Sequence, residues 1–185
     1  ILFAADLNAQ VKAGAFSVSP FFGYSKFTKD SPIEGSSTYG GSLGYNLSEN
    51  FGLEASYNNI DSKIKKAGIR EAGSDPDGPG PAPAEPGEII VPGGAKVTGS
   101  QLRLEGLFYF YSGEKLAPYA ALGIGTLTCD YSGKSYGRTN MPVGFGLKYF
   151  VTDKIAIRAD FRDILRLPEN NLLVTVGATF HFGGR

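Results

Sequence analysis

The chain contains one cysteine, one histidine, one methionine and no tryptophan. A lone cysteine, Cys129, excludes an internal disulfide and leaves only pairing between chains or an inert thiol. A single histidine, His181, beside a single cysteine matches no metal-ligand spacing and no nucleophile–base constellation. No catalytic residue, cofactor site or metal site is therefore expected, and His181 reads as a side chain filling space. Charge of one sign is also lacking. The 18 basic and 18 acidic side chains cancel, so there is no footprint for nucleic acid. Long apolar runs are missing too: the longest are ILFAA (1–5) and LFYFY (107–111), far below the ~20 residues a membrane helix needs. A chain of this kind crosses a membrane only with strands, closed into a barrel.

Glycine and aromatics are plentiful, with 26 glycines and 12% Phe and Tyr, a mixture that suits many-stranded β architecture. Eight segments alternate with period 2, the strand signature. They are AFSVSPFFGYSKF (15–27), TYGGSLGYNL (38–47), FGLEASYN (51–58), QLRLEGLFYF (101–110), PYAALGIGTLT (118–128), PVGFGLKYF (142–150), KIAIRADFRD (154–163) and LLVTVGATFHF (172–182). Most are close to the ~9–11 residues a tilted strand needs to cross a bilayer. Tight turns at 48–50, 112–115 and 152–154 alternate with longer links at 28–37, 60–98, 130–138 and 164–171. An even strand count with short turns on one side and long loops on the other is the outer-membrane barrel layout. Tyr45, Phe51, Phe110, Tyr111, Tyr149, Phe150, Phe180 and Phe182 gather at the short-turn side and read as an interfacial aromatic girdle.

Which face of each strand points inward is decided by glycine. Large apolar residues share one face; Gly, Ser, Thr and charge share the other. A water-soluble barrel needs bulky residues inside to fill its core. Here the bulky rows fit lipid, and the polar rows, with Glu54, Arg103, Glu105, Lys148, Arg158, Asp160 and Arg162, point into the lumen. A lumen of eight strands is too narrow for a water channel. The seven charges are thus either a satisfied ionic plug or a gate whose partners exchange to open a narrow ion path. The expected fold is all-β, an eight-stranded antiparallel transmembrane barrel over 13–183 with long extracellular loops. Residues 1–12 form an N-terminal segment, either plainly apolar at its start or the tail of a signal peptide. The stretch 74–94 holds six prolines and five glycines. It cannot keep a ladder and places a flexible, exposed loop within 60–98.

The order and spacing of GLEASYN, QLRLEGLFYF, GFGLKYF, KIAIRADFRD and a terminal VTVGATFHFG resemble the N-terminal barrel of the OmpA family. The resemblance implies interior salt bridges among the third, fourth, sixth and seventh strands. The third-strand acid falls on Glu54 and the seventh-strand base on Arg158. The fourth-strand base and sixth-strand acid of the family are exchanged here to Glu105 and Lys148. Glu54 is expected to pair with Arg158, and Glu105 with Lys148. The resemblance further implies the outer membrane of a Gram-negative-type envelope, with membrane lipids and lipopolysaccharide as partners. The function it implies is structural anchoring with at most a small gated conductance. The alternative is adhesion or binding of a protein or polymer through 60–98. Family members usually continue into a peptidoglycan-binding domain; residues 1–185 hold only the barrel, so wall tethering is not carried over.

Overall fold

The computed structural model describes residues 11–27, 34–63, 96–110, 115–131, 134–166 and 169–184. Eight strands form one closed antiparallel barrel in sequence order, β8 pairing back onto β1. They are β1 (Ala15–Phe27), β2 (Ser36–Asn46), β3 (Phe51–Lys63), β4 (Lys96–Tyr109), β5 (Leu116–Tyr131), β6 (Lys134–Thr152), β7 (Ile155–Arg166) and β8 (Glu169–Gly183). Closure removes every sheet edge, the condition for β structure in hydrocarbon.

Period-2 sequence becomes period-2 burial. Along β1 and β3 buried and exposed residues alternate almost without interruption. Phe22, Leu43, Ile124 and Phe145 stand 61–68% exposed on the outer face. Ser17, Ser42, Glu54, Arg103 and Thr175 are buried on the inner one. Such an outer surface would aggregate in water and is what a bilayer requires.

Two of the short turns are closed by hydroxyls. Ser48 Oγ accepts from the amides of Asn50 (3.3 Å) and Phe51 (3.0 Å), and Thr152 Oγ1 accepts from Lys154 (3.3 Å) and Ile155 (3.0 Å). Both are local side-chain turns of the kind Ser and Thr favour. Two prolines sit inside the wall. Pairing lapses beside Pro20 on the β8 side of β1, and beside Pro142 on the β5 side of β6. Proline has no N–H to offer the ladder there.

Several expected boundaries move outward. The links expected at 130–138 and 164–171 are mostly strand, with ladders running to Tyr131↔Lys134 and Arg166↔Glu169. Likewise β3 and β4 pair as far as Lys63↔Lys96, which narrows the 60–98 loop to 64–95. Above the bilayer both faces of a strand meet polar surroundings, so the apolar alternation that marks a strand fades while the hydrogen bonding continues. Residues 74–94, Tyr111 and residues 1–10 lie outside the described residues.

Candidate functional site: the charged layer of the lumen

The lumen is stacked in three layers. At the short-turn end Val11, Leu107, Tyr109, Tyr119 and Phe150 form a buried apolar cluster. At the far end Phe27, Ile60 and Leu127 form a second. Between them lie the seven charged residues, all at most 7% exposed. The apolar layers correct the expected inner face of Gly, Ser, Thr and charge. Phe150, expected in the outer girdle, shares the inward parity of Lys148 and is 1% exposed, its ring 5.2 Å from that of His181. Tyr45, Phe51, Phe110, Tyr149, Phe180 and Phe182 do face outward.

Room for the charges comes from glycine. Across the ladder Glu54 faces Gly44, Arg103 faces Gly125, Glu105 faces Gly123, Arg158 faces Gly177, Asp160 faces Gly146 and Arg162 faces Gly144. Cross-strand neighbours are the closest side-chain pairs in a sheet. A missing side chain on one strand lets the long chain of the other lie flat over it. A Cβ at Gly144 would stand 3.0 Å from Arg162 Cδ and overlap the backbone of β7.

The ion pairs form one run. Arg158 grips Glu54 with two bonds, Nη1 to Oε2 at 2.5 Å and Nη2 to Oε1 at 2.7 Å, a fork geometry that suits a carboxylate. The same guanidinium donates to both oxygens of Asp160, through Nε to Oδ2 and through Nη2 to Oδ1 at 3.1 Å. Arg162 Nη2 approaches Asp160 Oδ1 at 3.1 Å while its Nε donates to Glu105 Oε1 at 2.7 Å. Its Nη1 donates to the carbonyls of Phe145 (2.9 Å) and Phe161 (3.2 Å). Arg103 ends the run, its Nη1 3.8 Å from Glu105 Oε2, and its Nε has no hydrogen-bond partner among the described residues. A void of about 10 Å³ lies among these side chains. That is the lower limit for a single water.

The structure brings Glu54 to Arg158 but does not bring Glu105 to Lys148. On β5, Glu105 lies across from Gly123, and Lys148 lies across from Ala117, nearer the short-turn end. Glu105 is met by Arg162 instead. Among the described residues Lys148 forms no ion pair. Its Nζ donates to Tyr109 OH at 2.8 Å and lies 5.2 and 5.7 Å from the Tyr109 and Tyr119 ring centroids. Those faces attract a cation. Tyr119 OH donates to Asp160 Oδ1. Both Arg158 and Arg162 stand over its ring, at 5.6 and 5.7 Å. Neither tyrosine stood out in the sequence. The available signal was parity: Tyr109 shares the face of Arg103 and Glu105, and Tyr119 that of Gly123 and Gly125.

A closed eight-stranded wall, lipid-type outside and charged inside, agrees with one family model. Residues 1–182 match the outer membrane protein beta-barrel domain. The chain belongs to that family. Outer-membrane location follows from it. The N-terminal barrel domain of Pseudomonas aeruginosa OprF superposes with a TM-score of 0.61 at 20% identity, over 92% of this chain and 99% of that one. OprG of Pseudomonas aeruginosa gives 0.66 at 12% identity, over 97% and 100%. Ail of Yersinia pestis, in complex with the heparin analogue sucrose octasulfate, gives 0.57 at 15%, over 92% and 99%. At these identities the likeness is one of fold. No curated protein matches the barrel by sequence.

Proposed function

We propose that this outer-membrane barrel is a structural and anchoring element of OmpA type, its lumen plugged by salt bridges with at most a small gated conductance. The observation that supports it is the unbroken run Glu54–Arg158–Asp160–Arg162–Glu105, set between two apolar layers. Moving an ion through such a layer requires several buried pairs to part together, each leaving a charge uncompensated at several kcal/mol. A gate would have to exchange partners within the run. The reading assigns no catalytic chemistry, and its partners are outer-membrane lipids and lipopolysaccharide against the exposed Phe, Leu and Tyr surface.

The second reading is adhesion or binding of a protein or polymer through 60–98. It is favoured by the proline-rich sequence of 74–94, which falls between the ends of β3 and β4, and by Ail, a barrel of the same fold solved with a heparin analogue. Deleting residues 70–94 separates the two. Loss of envelope integrity only when the whole barrel is removed supports the structural reading. Loss of cell-surface attachment with the 70–94 deletion, the barrel remaining in the membrane, supports the second and overturns the first.

A further inference from the structure

A second cavity, of about 130 Å³, opens at the short-turn, periplasmic mouth and is lined by Lys12, Ala15, Asp153, Lys154, His181 and Gly183. At about 30 Å³ per water it has room for about four waters or one tetrahedral oxyanion. We infer that this mouth is a binding site for a phosphate- or sulfate-type oxyanion, held by Lys12, Lys154 and His181.

Three independent observations support the site. His181 is 7% exposed, and among the described residues neither Nδ1 nor Nε2 has a hydrogen-bond partner. A buried polar group that the protein leaves unpaired is met by water or by a bound ion. The wall is cationic, two lysines against the single carboxylate of Asp153. The interior behind it is cationic as well: Arg103, Lys148, Arg158 and Arg162 face only Glu54, Glu105 and Asp160, and the cation without an ion pair, Lys148, is two residues along β6 from the Phe150 ring that packs on His181.

The site is also built in advance. Gly14, at φ 77°, makes the left-handed turn that brings the chain across the mouth, a backbone conformation natural to glycine. Val11 is buried beneath it at 1% exposure. The Lys12 carbonyl accepts from Asn46 Nδ2 at 3.2 Å and from the Ala15 amide at 3.3 Å. The Lys154 carbonyl accepts from the His181 amide at 2.8 Å, which ties the second lysine to the histidine. The backbone that carries both lysines is thus held at the mouth, and charge-assisted donors gathered around a cavity are the usual makings of an anion site.

A free periplasmic oxyanion and the phosphate of an inner-leaflet lipid share this chemistry. His181 is the sole histidine, so its ring ¹⁵N signals report on the site without assignment. Inorganic phosphate titrated at constant pH into the barrel in an uncharged detergent is expected to shift those signals saturably, and sodium chloride of equal ionic strength is not. In phosphatidylglycerol nanodiscs a free-anion site still responds to phosphate. A site filled by lipid is already shifted and does not respond. Lys12→Gln with Lys154→Gln, at half-buried and exposed positions that leave the ladder intact, is expected to weaken phosphate at least about tenfold, the scale of one lost charge-assisted bond. Heat-modifiable migration checks that the variant is folded. Equal shifts with chloride, no shift in either medium, or an unchanged double variant would overturn the site. A ring signal that ignores phosphate but moves when residues 1–10 are removed would also overturn it, by placing the chain's own segment in the cavity.

Discussion

Arg158 touches two carboxylates and the Ser42 hydroxyl, and it makes both of the guanidinium bonds to Glu54. Arg158→Met is therefore expected to destabilise the barrel by about 3–5 kcal/mol, the cost of leaving a buried charge without its partner. Lys148 is as deeply buried yet, among the described residues, meets only a tyrosine hydroxyl and two tyrosine ring faces. Lys148→Met is expected to cost no more than about 1.5 kcal/mol, the range of one hydrogen bond. Urea unfolding of the two variants in the same lipid checks both. Equal losses would show that burial alone, and not pairing, sets the cost. The charge swap Glu105→Lys with Lys148→Glu is expected to recover little, because the two do not meet. Glu105→Gln with Arg162→Met is expected to show a coupling of about 0.5–3 kcal/mol in a double-mutant cycle. Parity alone put all seven charges on one face, and the family pattern pointed to Glu54 with Arg158. Parity carries no height along the barrel axis, so it could not tell that Arg162 and not Lys148 reaches Glu105. Nor could it show that six of the charges lie opposite glycines, since that depends on register.

At the scale of the element, β5 with 16 residues and β6 with 19 outrun the bilayer. Their apolar rows mark only the part inside lipid, which is why the sequence suggested a link at 130–138 where the structure has ladder. The tight turns at 48–50 and 152–154 were legible because Ser48 and Thr152 follow local turn chemistry. The wall interruptions at Pro20 and Pro142 were not, because a period-2 pattern passes straight through them. If β6 extends into water, Arg138→Cys in a Cys129→Ser background is expected to react with a membrane-impermeant maleimide on whole cells. Phe145→Cys, on the lipid face, is expected to stay unreacted. The reverse order would place the membrane around the wrong half of β6. A Gly144→Val substitution is expected to be at least as damaging as loss of Arg162 itself, since a side chain there overlaps the β7 backbone at Phe161 as well as crowding Arg162. Unfolding of the two single variants and their double checks this, the double being expected to lose clearly more than Arg162→Met alone because the backbone overlap stays.

For the whole molecule, closure into a barrel, the lipid-facing surface and the layering of the lumen answer to one another. Glycines on the inner face admit the charges, the charges pair across the barrel, and apolar layers stand at both ends of them. Eight strands and their facing could be read from the sequence; the end layers could not, because Phe27, Ile60, Leu127 and Phe150 are apolar residues at polar parity, the exception to the rule that identified the fold. Conductance of the purified barrel in planar bilayers, wild type beside Arg158→Met and Arg162→Met, tests the proposed plug most directly. The account predicts that the wild-type barrel is silent or shows only rare, small openings, and that folded Arg158→Met or Arg162→Met barrels open more often. A steady conductance in the wild-type barrel, left unchanged by both substitutions, would contradict it.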